Sequence, residues 1–208
     1  MMALNTIVYE KFRSAFEQKC YQLIIEAYQT SLTEQVIQLD WEENDISQEL
    51  YEKIDANPKK LRWNITPFRE FYLTQNIKKE KGFANKLPRI DLRMSNISGK
   101  LEYKYFCEAK RLKETDSKLK RAYIDEGMDR FISEKYPMGC MLGYLLEGKT
   151  NETIKGINAL LEKDKRNTET LVVKPHKLIN TYYESNHSDI GTLKHLIFDF
   201  ANAPTIHS

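Results

Sequence analysis

Asp91, Glu108 and Lys110 are the residues of this chain whose types and spacing fit a definite chemistry. Two carboxylates on one surface repel each other unless something neutralises them. A divalent cation does so, and Mg²⁺ typically takes one or two protein carboxylates, leaving its other positions to water and phosphate. Such an ion lowers the pKa of a bound water and polarises a phosphoryl oxygen. An adjacent lysine can orient that water or stabilise developing negative charge. The chemistry open to the three groups together is phosphodiester hydrolysis.

They can cooperate only if they share a face, and a β-hairpin provides one. Successive strand residues point to opposite sides. From Leu101 to Lys110, the set Leu101, Tyr103, Tyr105, Cys107 and Ala109 is apolar or aromatic, and the set Glu102, Lys104, Phe106, Glu108 and Lys110 is mostly charged. From Arg89 to Ser95, Ile90, Leu92 and Met94 alternate with Arg89, Asp91, Arg93 and Ser95. Each run reads as a strand with one core face and one polar face. A two-residue turn at Ser98-Gly99 places Asp91 opposite Phe106 and diagonal to Glu108, roughly 7 Å away. A register two residues further along places Asp91 directly opposite Glu108, and both keep the shared face. Glu-x-Lys alone says little. Glu17–Lys19, Glu102–Lys104 and Glu147–Lys149 have the same spacing, in a helix, beside the turn and across a glycine. Glu108–Lys110 alone follows an apolar stretch and pairs with an Asp across a hairpin. The ordinary reading of such a face is a solvated strand surface carrying ion pairs.

Asp91, Glu108-Ala109-Lys110 and their flanking elements resemble the PD-(D/E)xK, or restriction-endonuclease-like, superfamily. Its pattern is an Asp on one strand, (D/E)-x-K on the next, then a helix and a further strand. The matching order runs from about Leu61 to Gly148, under half the chain. Arg89-Ile90 precede Asp91 where the family name has a Pro-Asp pair, although Pro88 is close by. The resemblance implies a nuclease dependent on Mg²⁺ or Mn²⁺ and acting on DNA, with Asp91 and Glu108 as metal ligands and Lys110 as the catalytic lysine. Some members of the family have lost activity, which leaves a non-catalytic module binding nucleic acid or a protein as the alternative. Related nucleases often carry a further acid on a helix before the sheet. Glu43, Asp45 or a residue of the first helix can play that part, and Glu70 is another candidate. Many such nucleases cut two strands as dimers, so a homodimer is among the expected states. Restriction or phage defence is the biological role that the analogy implies.

The chain has 208 residues, 41% hydrophobic and 30% charged, with a net charge of +2. That suits one domain over 1–208 with a real core, and any electrostatic footprint for nucleic acid must be local. Lys110 to Arg121 carries six basic residues against two acidic ones. Lys113, Lys118, Lys120 and Arg121 from this run are candidate nucleic-acid contacts. Asn76 to Leu87 is also basic, through Lys78, Lys79, Lys81 and Lys86. The ordinary reading of either segment is a solvated loop. Cys20, Cys107 and Cys140 form no CxxC, and the four histidines lack metal-ligand spacing, which argues against a disulfide framework and a structural zinc. Nothing resembles a signal peptide or an apolar span, so a cytoplasmic protein without a membrane partner is expected.

The elements that must position these groups read as an N-terminal helical part (1–58) and an α/β core (59–208), a central mixed sheet flanked by helices. Val8, Phe12, Phe16, Cys20, Leu23, Ile24 and Ala27 recur at helical steps from about Thr6 to Gln29. Asp45 and Gln48 suit a capping box for a second helix ending at Asn57-Pro58. Extended segments are expected over Leu61–Ile65 and Phe68–Leu73, then a loop over Thr74–Lys86. Leu119–Glu134 reads as a helix with Tyr123, Gly127, Arg130 and Glu134 on one stripe. Gly127 there points to a close approach to the sheet or a ligand, and Arg130 to a phosphate contact or a pair with Glu108. Met138–Leu146 reads as a strand and Asn151–Leu161 as a helix. Thr170–Lys174, Leu178–Glu184 and Leu193–Phe200 read as strands, the last with a short helix as its alternative.

Overall fold

The computed structural model describes residues 2–72, 89–98, 101–133, 136 and 138–202. Three helices lead: α1 (Met2–Glu34), α2 (Glu43–Ala56) and the single turn α3 (Lys59–Arg62). Strands β1 (Thr66–Tyr72), β2 (Arg89–Ser98) and β3 (Leu101–Lys113) follow. A helical crossover then runs through α4 (Ser117–Ala122), a π-helical turn (Tyr123–Met128) and α5 (Asp129–Ser133) into β4 (Gly139–Glu147). The chain ends with α6 (Thr150–Lys163), β5 (Val172–Val173), β6 (Tyr182–His187) and β7 (Gly191–Asp199).

The seven strands form one mixed sheet in the order β1-β2-β3-β4-β7-β6-β5. β1, β2 and β3 form an antiparallel meander. β3, β4 and β7 run parallel, and β6 and β5 close the other edge antiparallel. β4 lies at the centre and is buried from Cys140 to Leu146, as a parallel strand covered on both faces must be. Helices α1 and α2 cover one face. Cys20, Leu23, Ile24, Ile46, Leu50 and Ile54 pack there on Leu92, Tyr105, Cys107, Tyr144 and Phe198. The crossover and α6 cover the other face, where Tyr123, Ile124, Met128, Phe131, Ile157 and Leu161 meet Phe106, Leu112, Met141, Leu145 and Ile197.

This second layer changes the meaning of the hairpin's polar face. It is solvated only near the turn, at Glu102 and Lys104, whereas Glu108 and Lys110 are buried beneath the crossover. The register is the further of the two read from sequence. Arg93 rather than Asp91 stands opposite Phe106, and Ser98 stands opposite Leu101. The turn expected at Ser98-Gly99 is therefore displaced, and Gly99 and Lys100 lie outside the described residues. Ile90 also leaves the Leu92–Met94 set and packs in the crossover layer. Glu70, beside Asp91 on β1, sits at φ +48°, a left-handed conformation uncommon for a residue with a Cβ.

Other boundaries differ from the sequence reading. Val8 and Phe12 are half exposed, because the buried stripe of α1 begins at Phe16. Glu42 rather than Asp45 caps α2, its N–H donating to the Asp45 carboxylate at 3.1 Å. Leu61 lies in the turn α3, which Pro58 opens, rather than in a strand. β6 begins at Tyr182 rather than Leu178, and the last segment is a strand rather than a helix. The loop expected over Thr74–Lys86 lies outside the described residues, with Lys78, Lys79, Lys81, Lys86 and Pro88.

Candidate active site

Beyond the pair Leu92↔Cys107, no further β2–β3 pairing is made by the described residues. The next β3 amides that face β2 are those of Ala109 and Arg111, and buried N–H groups must have partners. They find carboxylates. Ala109 N–H donates to Asp91 Oδ2 at 2.7 Å, and Arg111 N–H donates to Glu43 Oε2 at 3.3 Å. The parting of the two strands therefore gathers acids at the point where β3 presents Glu108 and Lys110.

Lys110 binds two of those acids. Its Nζ donates to Glu43 Oε1 at 2.9 Å and lies 3.4 Å from Glu108 Oε1. Arg130, one residue past the start of α5, reaches the same Glu108 oxygen at 3.1 Å. Among the described residues, the other oxygen, Glu108 Oε2, is buried with no hydrogen-bond partner. Of the acids considered for a helical carboxylate, Glu43 is the one at the site, as the first residue of α2. That helix start is pinned from three sides. Arg111 reaches Trp41 O at 3.3 Å and Glu42 Oε2 at 2.7 Å, Arg69 donates to Asn44 O at 2.9 Å, and Lys110 holds Glu43 itself. Asp45 faces away from the site, its carboxylate accepting from the N–H of the capping residue Glu42. Glu70 pairs with Arg69 at 3.3 Å and with Arg89 at 3.7 Å.

The electrostatics follow from burial and like charge. Burial, and next the charge of Asp91, push the Glu108 carboxyl up to about 7. Burial also holds Asp91 and Glu43 above their ordinary values, against the pull of Ala109 N–H and Lys110 respectively. For Lys110, burial opposes the charged form, but Glu43, Glu108 and Asp91 outweigh it and raise the ammonium pKa. Lys110 is a fixed cation, and Glu108 changes charge near neutrality. Gly127 makes room for it: a Cβ there would stand 3.2 Å from Lys110 Cγ and 2.4 Å from Met141 Cε. The close approach read from that glycine is an approach to the sheet.

Among the described residues, no group of three or more His, Cys, Asp or Glu side chains is arranged to hold a metal ion. Asp91 and Glu108 nonetheless match what Mg²⁺ asks of a protein, one or two carboxylates with the remaining positions left to water and phosphate. The unpartnered Glu108 oxygen is the observation that makes the pair fit. The basic residues are less available than their count implied. Lys113 lies 3.9 Å from Glu147 Oε2, Lys120 donates to Glu114 O at 2.6 Å, and Arg121 pairs with Asp164 and, at 3.6 Å, Asp125. Lys118 is exposed in the first turn of α4.

No protein-family model, curated protein or solved structure matches the chain. No helix among the described residues is long and apolar enough to cross a membrane.

Proposed function

We propose that this chain is a metal-dependent nuclease of the PD-(D/E)xK type that hydrolyses phosphodiester bonds in DNA. The observation that carries the reading is the meeting of Glu43, Glu108 and Lys110 beside Asp91, with one Glu108 oxygen buried and unpartnered. The order antiparallel meander, helical crossover, parallel strand also agrees with a restriction-endonuclease-like core. Asp91 and Glu108 would hold the cation. Mg²⁺ or Mn²⁺, when bound, supplies a water of lowered pKa and polarises the phosphoryl oxygen. Lys110 has only hydrogens to donate, so it places the attacking water and offsets charge developing on the phosphate, while Glu43 holds its ammonium in line. Arg130 is suited to a phosphate oxygen by its planar fork. A role in restriction or phage defence rests on analogy with other small nucleases.

A non-catalytic module that binds nucleic acid or protein is the second reading. It is favoured by the pairing of Lys110 and Arg130 with Glu108, which already neutralises that carboxylate.

Cleavage assays separate the two. The purified protein nicks or degrades DNA with Mg²⁺ or Mn²⁺ and is silent in EDTA. Glu108→Gln abolishes cleavage and keeps the fold. Lys110→Ala lowers the rate about 100-fold or more and leaves cation binding in place. Equal activity in wild type and Glu108→Gln would put the chemistry elsewhere. Intact DNA binding with no cleavage of single-stranded, double-stranded or RNA substrates would favour the binding module.

A further inference from the structure

Tyr123 opens the π-helical turn and Asp129 follows it, and one chain of polar contacts through the sheet ties both ends. Tyr123 Oη lies 2.8 Å from His195 Nδ1, and His195 Nε2 lies 2.8 Å from Ser185 Oγ. Ser185 Oγ lies 2.7 Å from His187 Nε2. His187 Nδ1 stands 2.9 Å from Glu169 Oε2, off the ideal hydrogen-bond line. Arg166 closes the circuit. Its Nε donates to Glu169 Oε2 at 3.1 Å, and its Nη1 donates to Asp129 Oδ2 at 3.1 Å.

With both imidazoles neutral, one proton arrangement satisfies every contact. The Glu169 carboxylate has no proton to give, so His187 carries its own on Nδ1. Its Nε2 must then accept from the Ser185 hydroxyl. Ser185 in turn accepts from His195 Nε2–H, and His195 Nδ1 accepts from the Tyr123 phenol. Burial holds both histidines below their ordinary values, His195 down to about 3, so neutral rings are the resting state. The chain ends at a phenol in a fully buried residue. It therefore delivers no proton to solvent or substrate, and its role is geometric.

What it fixes is the turn. A π-helical turn inserts an extra residue into a helix, and each α-helical residue advances about 100° around the axis. Were the turn to relax into regular α-helix, every residue beyond it would rotate by roughly that angle. Arg130 is the residue just past Asp129, and it would swing off Glu108. We propose that Tyr123, His195, Ser185, His187, Glu169 and Arg166 are positioning residues that set Arg130 on Glu108 by holding both ends of the π-helical turn. The positioning stands on geometry, and only its bearing on cleavage rests on the nuclease reading.

The test reads Arg130 directly. In ¹⁵N-arginine NMR of the whole protein, the wild-type Arg130 guanidinium shows hindered rotation. Tyr123→Phe removes the head of the chain, and Asp129→Asn weakens its far anchor from outside the core. In both, the Arg130 signals average to free rotation, and amides of the turn exchange at least tenfold faster. Arg111, held by Trp41 and Glu42, stays hindered. An Arg130 that remains hindered in both variants overturns the proposal, and Asp129→Asn decides alone if Tyr123→Phe does not fold. If the protein cleaves DNA, Asp129→Asn lowers kcat no further than Arg130→Gln, and the double variant adds nothing; independent, additive losses would also overturn it. The NMR measurement needs no substrate, so a protein that cleaves nothing would count against the nuclease reading and leave the positioning to be judged on Arg130.

Discussion

Glu108 sits where its charged form is disfavoured, and that conflict is measurable. Its carboxyl is raised to about 7 in the folded chain by burial and by Asp91, from an ordinary value of 4.5. The folded state thus binds the proton more tightly than the unfolded one. Linkage then makes this site lower stability as pH rises from about 4.5 through about 7, with the full loss present above that window. Glu108→Gln removes the ionisable group. We expect the variant's stability relative to wild type to grow across that range, reaching on the order of 2–3 kcal/mol by pH 8, while cleavage is lost. Urea unfolding of both proteins at pH 5 and pH 8 checks it, and a pH-independent difference would mean that Glu108 ionises normally. The residues behind this conflict were partly legible in sequence. Alternation put Asp91, Glu108 and Lys110 on one face, because strand parity survives a two-residue error in register. Glu43 was one of several acids in a short acidic stretch. Only the approach of α2 to Lys110, which no local pattern encodes, distinguishes it from Asp45.

At the scale of elements, the glycines of the crossover and of β4 answer to different neighbours. A Cβ on Gly139 would stand 2.0 Å from the Phe106 carbonyl oxygen, a backbone atom of the paired strand that cannot move without breaking the ladder. A Cβ on Gly127 meets the end of the flexible Met141 side chain and the stem of Lys110, and alanine recovers about 1 kcal/mol of helix propensity. Gly139→Ala should therefore cost several kcal/mol, in the range of overpacked cores or beyond. Gly127→Ala should leave stability within about 1 kcal/mol of wild type yet lower cleavage by displacing Lys110. Thermal melts beside rate measurements check both, and equal losses of stability would contradict the contrast. Long periodic elements such as α6 and β4 were readable because their apolar spacing is unambiguous. The π-helical turn was not: Tyr123, Gly127 and Arg130 carry the i, i+4, i+7 spacing of a regular α-helix, and nothing in that spacing marks the extra residue of the turn. The left-handed backbone at Glu70 was equally hidden, since a non-glycine residue gives no sign of a positive φ. The histidines on β6 and β7 lack metal-ligand spacing, and they serve a hydrogen-bonded network instead. Ser185, His187 and His195 at buried positions of alternating strands were the available signal of a polar network.

For the whole molecule, the charge census overstated the surface open to nucleic acid. Lys113, Lys120 and Arg121 already have protein partners, so DNA affinity should respond more to Lys118→Ala than to Lys120→Ala, and the salt slope should flatten by no more than about one ion for the single change. Fluorescence titrations across a salt series measure this; a larger effect from Lys120 would mean that its contact with Glu114 O opens on binding. The three cysteines offer a different view of the same molecule. All are fully buried, Cys107 and Cys140 face each other at 3.9 Å across β3 and β4, and Cys20 packs in the same layer. Burial raises the Cys20 and Cys107 thiols well above their ordinary range, which makes them inert toward alkylating reagents until the sheet parts from α1 and α2. Their labelling rate is therefore a clock for opening. A cation held by Asp91 and Glu108 would slow that clock by the factor 1 + [M]/Kd. Mg²⁺ should protect the thiols in wild type and not in Glu108→Gln, so ion binding can be weighed with a thiol reagent alone, before any substrate is known.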